Sequence, residues 1–260
     1  MDFFGFGGYE RTPEGFLSWQ HLLFVTSYFI IAIALAALLG LKNRNKDLKT
    51  KNNVLVITAI IMDSIEIAKI ILFSFRAHDP LNFVNTLPLY LCSIQLITIP
   101  LAAFGKGRLK EAALDFVFIF GLLGAAAGTY GAGNNFKYYP ILSVDIVVSC
   151  TTHWISGFSA LYIGFSHMES MKKNNIWIVL AILYSFALTA YIVDISLDKN
   201  YMFLITGKDT PYAFFYAMVN GNRILYPMVV MLLFMMYIGV FYLIYYLIVN
   251  KAKKQNIKGN

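Results

Sequence analysis

A chain of 260 residues that is 58% hydrophobic, 16% aromatic and only 13% charged falls outside soluble domains, in which about a quarter of residues carry charge. This composition excludes a soluble globular enzyme and indicates a polytopic membrane protein. The formal net charge of +7 raises nucleic acid as a partner, and the placement of that charge along the chain removes it.

The amino-terminal stretch MDFFGFGGYERTPEGF is acidic and lacks a small-residue cleavage pattern near the first apolar run, so no cleaved signal peptide is expected. A helix needs roughly 20 apolar residues to cross the hydrocarbon. Seven runs meet that length, at about 17–41, 54–75, 87–104, 112–132, 142–166, 176–196 and 224–249, predicting an all-α seven-helix bundle in one membrane domain over 1–260.

The first span carries His21 near its outer end. The second reads IIMDSIEIAKIILF, with Asp63, Glu66 and Lys69 at successive i, i+3 positions on one face. Two readings stand there: an internal Glu66–Lys69 pair that fixes register, or a site for a polar head group. The third contains LPLYLCSIQL, where Thr86 and Pro88 resemble an N-cap and a first-turn proline. Cys92 is then one turn into the helix on the outer side, with Gln95 beneath it.

In the fourth span, GLLGAAAGTYGAG places Gly124 and Gly128 in a GxxxG relation, a helix-packing signal. The fifth reads VDIVVSCTTHWISGF, whose Asp145, Ser149, Thr152, His153 and Ser156 form an inward polar stripe, with Cys150 one turn from His153. After the sixth span, the loop 197–223 mixes Asn200, Tyr201, Asn220 and Asn222 with aromatics, and reads as an interfacial or re-entrant connection. The Met- and Tyr-rich seventh span reads as packing. Trp19, Tyr138, Tyr139 and Trp177 fall near span ends, where aromatic belts sit.

Fourteen of the 21 basic residues fall in the first, third and fifth loops and the tail, six lie on the opposite side, and Lys69 is inside a span. By the positive-inside rule the N-terminus is outside and the C-terminus cytoplasmic. The surplus charge is therefore orientation, with membrane lipids rather than nucleic acid as partners. Both cysteines, Cys92 and Cys150, fall within spans and are expected to be free.

Ionisable groups inside spans face the bundle interior or a cavity. A thiol in apolar surroundings is inert unless a cation, a base or a helix N-terminus activates it. His78 and His167 sit at span ends, leaving His21 and His153 as bases for Cys92. His153 is expected roughly 8 Å deeper than Cys92 at ~1.5 Å per residue, and His21 nearer in level. Cys150 with His153 is a competing pair. His21 and His153 with Asp63 or Asp145 would supply three zinc ligands, but no HxxxH spacing supports them, and no cofactor is expected.

At these residues the chain resembles a known family. LPLYLCSIQL is similar to the LPLHLC signature of bacterial YwaF-like integral membrane proteins, relatives of eukaryotic transmembrane protein 164. SWQHLLF around His21, TTHWISGFSALYI around His153 and NYMFL from Asn200 to Leu204 match in the same order, so the resemblance covers most of the chain. Tyr90 stands where a histidine is common, and ITGKDTPYAFFYAMVNGNR replaces a Trp/Pro-rich stretch. The resemblance implies phospholipid acyl transfer by a Cys–His pair, which falls on Cys92 and His153. Gln95, Asn200 or His21 would stabilise an oxyanion, and Asp63, Glu66, Asp145 and Tyr201 would support the site or bind substrate. Phospholipid and lysophospholipid are then the partners, the bacterial cell membrane the location, and water in place of the acceptor would give a lipase.

Two other functions fit the residues. A transporter or channel would use Asp63, Glu66, Lys69 and Asp145 as its path, although neither an inverted repeat nor a pair of broken helices is evident. A seven-helix receptor or lipid-binding module fits the orientation, but its cytoplasmic loops are short.

Overall fold

The computed structural model describes residues 3–208, 210 and 212–258, with side chains as far as residue 251. Among these residues nine α-helices follow in order: α1 (Trp19–Asn43), α2 (Leu48–Ala77), α3 (Gln95–Phe104), α4 (Gly107–Tyr130), α5 (Gly133–Tyr138), α6 (Val144–Ser166), α7 (Ile176–Leu197), α8 (Ala213–Met218) and α9 (Leu225–Lys258). The protein is an all-α integral membrane protein. Five helical stretches are long and apolar enough to cross a bilayer: α1, α4 continued through α5, α6, α7 with its preceding turn, and α9. A sixth is counted if two bent segments, Pro80–Thr86 and Leu91–Phe104, form one span. At 30 residues α2 has the length, but Asp63, Glu66 and Lys69 in its interior set it apart from the apolar five.

The third span departs from expectation. No α-helix starts at Thr86. That residue instead ends a 3-10 segment (Pro80–Thr86), its hydroxyl donating 3.1 Å to the Phe83 carbonyl. Cys92 lies in a second 3-10 turn, Leu91–Ile94, and Gln95 opens α3, which is only 10 residues long. The two segments meet at 99°. Pro88 explains the break, because a proline biases the residue before it away from the helical region. One broken span is thus present among the described residues, where the transporter pattern asks for two.

The chain gathers into two compact units, residues 1–88 with 92–170, and 89–91 with 171–260. In the first, α6 packs against α1, α2 and α4, and α3 fits between α2 and α4. Small residues set the α4–α6 approach. A Cβ on Gly121 would meet the Ser156 carbonyl at 2.7 Å, and one on Gly157 would meet Ala125 at 2.7 Å. Ser18 caps α1 and Ser143 caps α6, each accepting a backbone N–H of the first turn.

At the end where α2 begins, hydrogen bonds bring the helices to one level. Lys51 donates to the Ser166 carbonyl at 2.8 Å, and Tyr162 donates to the Lys51 carbonyl at 3.0 Å. Asn43 donates to Tyr162 at 3.1 Å. The Ala103 carbonyl, at the end of α3, accepts from Asn52 at 2.7 Å and from Lys110 at 3.1 Å. In the second unit, Tyr246 donates to the Met171 carbonyl and Tyr90 meets Tyr201 edge-on.

Candidate functional site

The shared floor allows depths to be compared along the helix axes. Cys92 lies ~18 Å above Ala103, counting a 3-10 rise of ~2.0 Å per residue and then ~1.5 Å in α3. His153 lies ~20 Å above Ser166, and on α2 Asp63 and Glu66 lie ~18 and ~22 Å above Lys51. The 8 Å gap expected between Cys92 and His153 therefore closes. The 3-10 geometry stretches the chain beneath Cys92, and both residues sit near mid-depth rather than at the outer edge. His21 lies ~33 Å above Asn43 and Asp145 ~31 Å above Ser166, at the opposite end.

One face of α4 lies against both Cys92 and His153. A Cβ on Gly124 would lie 3.8 Å from the Cys92 Cβ, and one on Gly128 would lie 2.1 Å from His153 Cε1. The imidazole thus occupies the volume that any other residue at 128 would fill, and it donates to the Gly124 carbonyl. The second ring nitrogen is left to exchange a proton. The GxxxG pair packs closely, as expected: Gly128 lies against His153 of α6 and Gly124 against Cys92, beside the Gly121 and Ala125 contacts with α6. Read from the sequence as packing alone, Gly124 and Gly128 also lie against the two candidate site residues. The available signal was their position on the membrane-embedded part of a helix, where small residues also make room for side chains.

Charge reaches this face from α2. Lys69 pairs with Glu66 at 2.5 Å, and its ammonium acts electrostatically on both Cys92 and His153. Two polar atoms are buried here without a hydrogen-bond partner: Asp63 Oδ1 and Gln95 Nε2. Gln95 is 1% exposed, and its Oε1 accepts from Thr98 at 3.0 Å, leaving the amide N–H groups unspent. Buried donors are nearly always paired, so this amide is a marked exception.

Several expected members have other duties. His21 accepts from the Leu17 N–H at Nδ1 (3.0 Å), so Nε2 carries the proton and donates to the Thr129 carbonyl at 3.2 Å. Its ring packs 3.8 Å from Phe136. Both nitrogens are occupied and the depth is wrong, so His21 is not the base for Cys92. Asp145 is clamped by Arg76 through two bonds of 2.6 and 2.7 Å and by Tyr9 at 2.5 Å. It holds the amino-terminal segment rather than lining a path. Burial first, and then the hydrogen bond and charge of Asp145, push the Tyr9 phenol up to about 12.

The rest of the polar stripe on α6 is largely internal. Thr152 donates to the Val148 and Ser149 carbonyls, and Ser156 donates to Gly121. Cys150 is buried in apolar packing with Val25, Phe136, Ile146 and Trp154. Asn200, in the second unit, spends its amide on the loop it begins, donating to the Thr206 carbonyl at 2.8 Å and accepting from Ile205 and Thr206. The Tyr201 N–H donates to Asp194. Among the described residues no cluster of three or more His, Cys, Asp or Glu is arranged to hold a metal ion.

A protein-family model, that of the TMEM164 family, matches residues 16–245. No curated protein and no solved structure matches the chain.

Proposed function

Because the chain belongs to the TMEM164 family, we propose that it is an intramembrane lipid acyltransferase with Cys92 as nucleophile and His153 as base. The observation that carries this reading is the common seat of the two groups on the Gly124–Gly128 face of α4, at one depth. His153 takes the Cys92 proton, and the sulfur attacks the carbonyl carbon of a phospholipid ester. Gln95 Nε2 supplies a buried donor for the developing oxyanion. The ester C–O bond breaks, His153 returns the proton to the departing glycerol oxygen, and a thioester remains on Cys92. A lysophospholipid hydroxyl then gives its proton to His153 and attacks the thioester, and the thiol is restored. Water as acceptor turns the same steps into lipid hydrolysis.

The topology belongs to this proposal. The Pro80–Phe104 stretch counts as one broken crossing, because α3 ends level with Asn52 at the start of α2. With α2, whose Glu66–Lys69 pair neutralises its cation, the crossings number seven. The basic loops put the C-terminus in the cytoplasm of what we take to be a bacterial cell.

The test is acyl exchange between a phospholipid and a lysophospholipid by the purified protein. Cys92→Ala is expected to abolish exchange and His153→Ala to slow it by about 10²–10⁴-fold. Equal exchange by wild type and Cys92→Ala removes the cysteine from the mechanism. A second reading draws on the 99° break, since discontinuous helices mark many transporter sites. Solute uptake into proteoliposomes that dies with Glu66→Gln and survives Cys92→Ala would favour it.

A further inference from the structure

Away from the Cys92–His153 face, a separate hollow of about 360 Å³ opens beside the start of α1. Its lining divides by chemistry. Arg11 and Glu14 supply its charge, and Trp19, Leu23, Tyr28 and Leu142 supply an apolar and aromatic wall. Trp19 is 69% and Leu23 58% exposed, on a helix that crosses the membrane, so this wall opens sideways towards lipid.

The charged end is fixed in place. One Glu14 oxygen accepts from the Ile141 N–H at 2.9 Å and the other from Arg11, so each carboxylate oxygen has a partner. The Arg11 side chain stays 58% exposed, and the remaining guanidinium N–H groups form a fork suited to a phosphate. The apolar wall is stiffened from behind, where Tyr28 stacks on Trp154 with centroids 3.4 Å apart.

We infer that this hollow is a binding site for a single glycerophospholipid, its phosphodiester on Arg11 and one acyl chain laid along the Trp19–Tyr28 face of α1. The volume lies at the lower end of small-ligand sites, about 300–1,000 Å³, so it holds one chain segment while the rest of the lipid stays in the bilayer. The site stands independently of the acyl-transfer chemistry.

The experiment uses the full chain in nanodiscs with a phosphatidylglycerol whose acyl chain carries a photoreactive diazirine, followed by peptide mapping. Adducts are expected within 19–28 and at 141–142. Arg11→Gln should lower them by about tenfold, the loss of one charge-assisted contact, while Arg11→Lys retains most of them. Ser27→Trp, which fills the hollow without touching the charges, should also reduce them. Unlabelled phosphatidylglycerol should compete and diacylglycerol should not. Adducts spread evenly over all lipid-facing helices, or unchanged in Arg11→Gln, would show a passing boundary lipid only. Equal competition by diacylglycerol would overturn the phosphate contact.

Discussion

A single hydrogen atom on Gly128 makes room for the imidazole of His153. Gly128→Ala places a methyl carbon 2.1 Å from Cε1, so the ring must leave its seat. The expected result is loss of acyl exchange at least as severe as that of His153→Ala, with lipid labelling within 19–28 and at 141–142 unchanged. Retention of full activity in Gly128→Ala would mean that the ring position does not matter to the reaction. Cys150, buried in apolar packing, should behave oppositely. Cys150→Ala is expected to cost about 1 kcal/mol as a small cavity and to leave exchange intact, in contrast to Cys92→Ala in the same assay. Tyr9 carries a pH signature. Its folded pKa is raised to about 12 from an ordinary 10, so its contribution to stability is complete below pH 10 and is lost as pH rises towards 12. Tyrosinate absorbance during an alkaline titration should place Tyr9 among the phenols that ionise late, and Tyr9→Phe should shrink that late step by one phenol.

At the scale of elements, α2 illustrates how a charged segment is kept inside a bilayer protein. Glu66 is 7% exposed and its partner Lys69 is held at 2.5 Å. Glu66→Gln leaves an uncompensated cation, and breaking a buried pair costs about 3–5 kcal/mol, less here because Lys69 can extend towards the surface. The double variant Glu66→Gln/Lys69→Met should recover most of the thermal stability. Failure to recover would mean that the two charges act separately. The α4–α6 seam gives a second element-scale expectation. Gly157→Ala drives a Cβ to 2.7 Å from Ala125, and overpacking of this kind costs about 1–3 kcal/mol, measurable by thermal unfolding in detergent. The element sequence reading misplaced was the third span. Its apolar run looked continuous, whereas Pro88 and the 3-10 geometry break it and set Cys92 just after a bend.

At the scale of the whole molecule, the expected placement of residues 45, 106 and 172 with the C-terminus on one side is open to reporter fusions or cysteine labelling. Agreement of all four positions, with the N-terminus opposite, supports seven crossings. An N-terminus on the same side as the C-terminus leaves an even number and removes α2 or the broken third segment from the count. Five or six apolar spans were readable from hydropathy, because a run of about 20 apolar residues leaves a chain no choice but the bilayer. Length alone does not decide the fate of α2, since Lys69 is tolerable there because Glu66 stands one turn away.

Composition and the apolar runs by themselves determined that this is an all-α membrane protein, because the free energy of placing side chains in hydrocarbon is a property of each segment and needs no partner. The LPLYLC and TTHW motifs likewise marked Cys92 and His153 as the residues to watch. Only the tertiary structure decided which residues share a depth, that His21 and Asp145 belong to the far end, and that two glycines of α4 seat the thiol and the ring. Those facts depend on where helices start, bend and rotate against one another, and such relations are set by packing between segments distant in sequence.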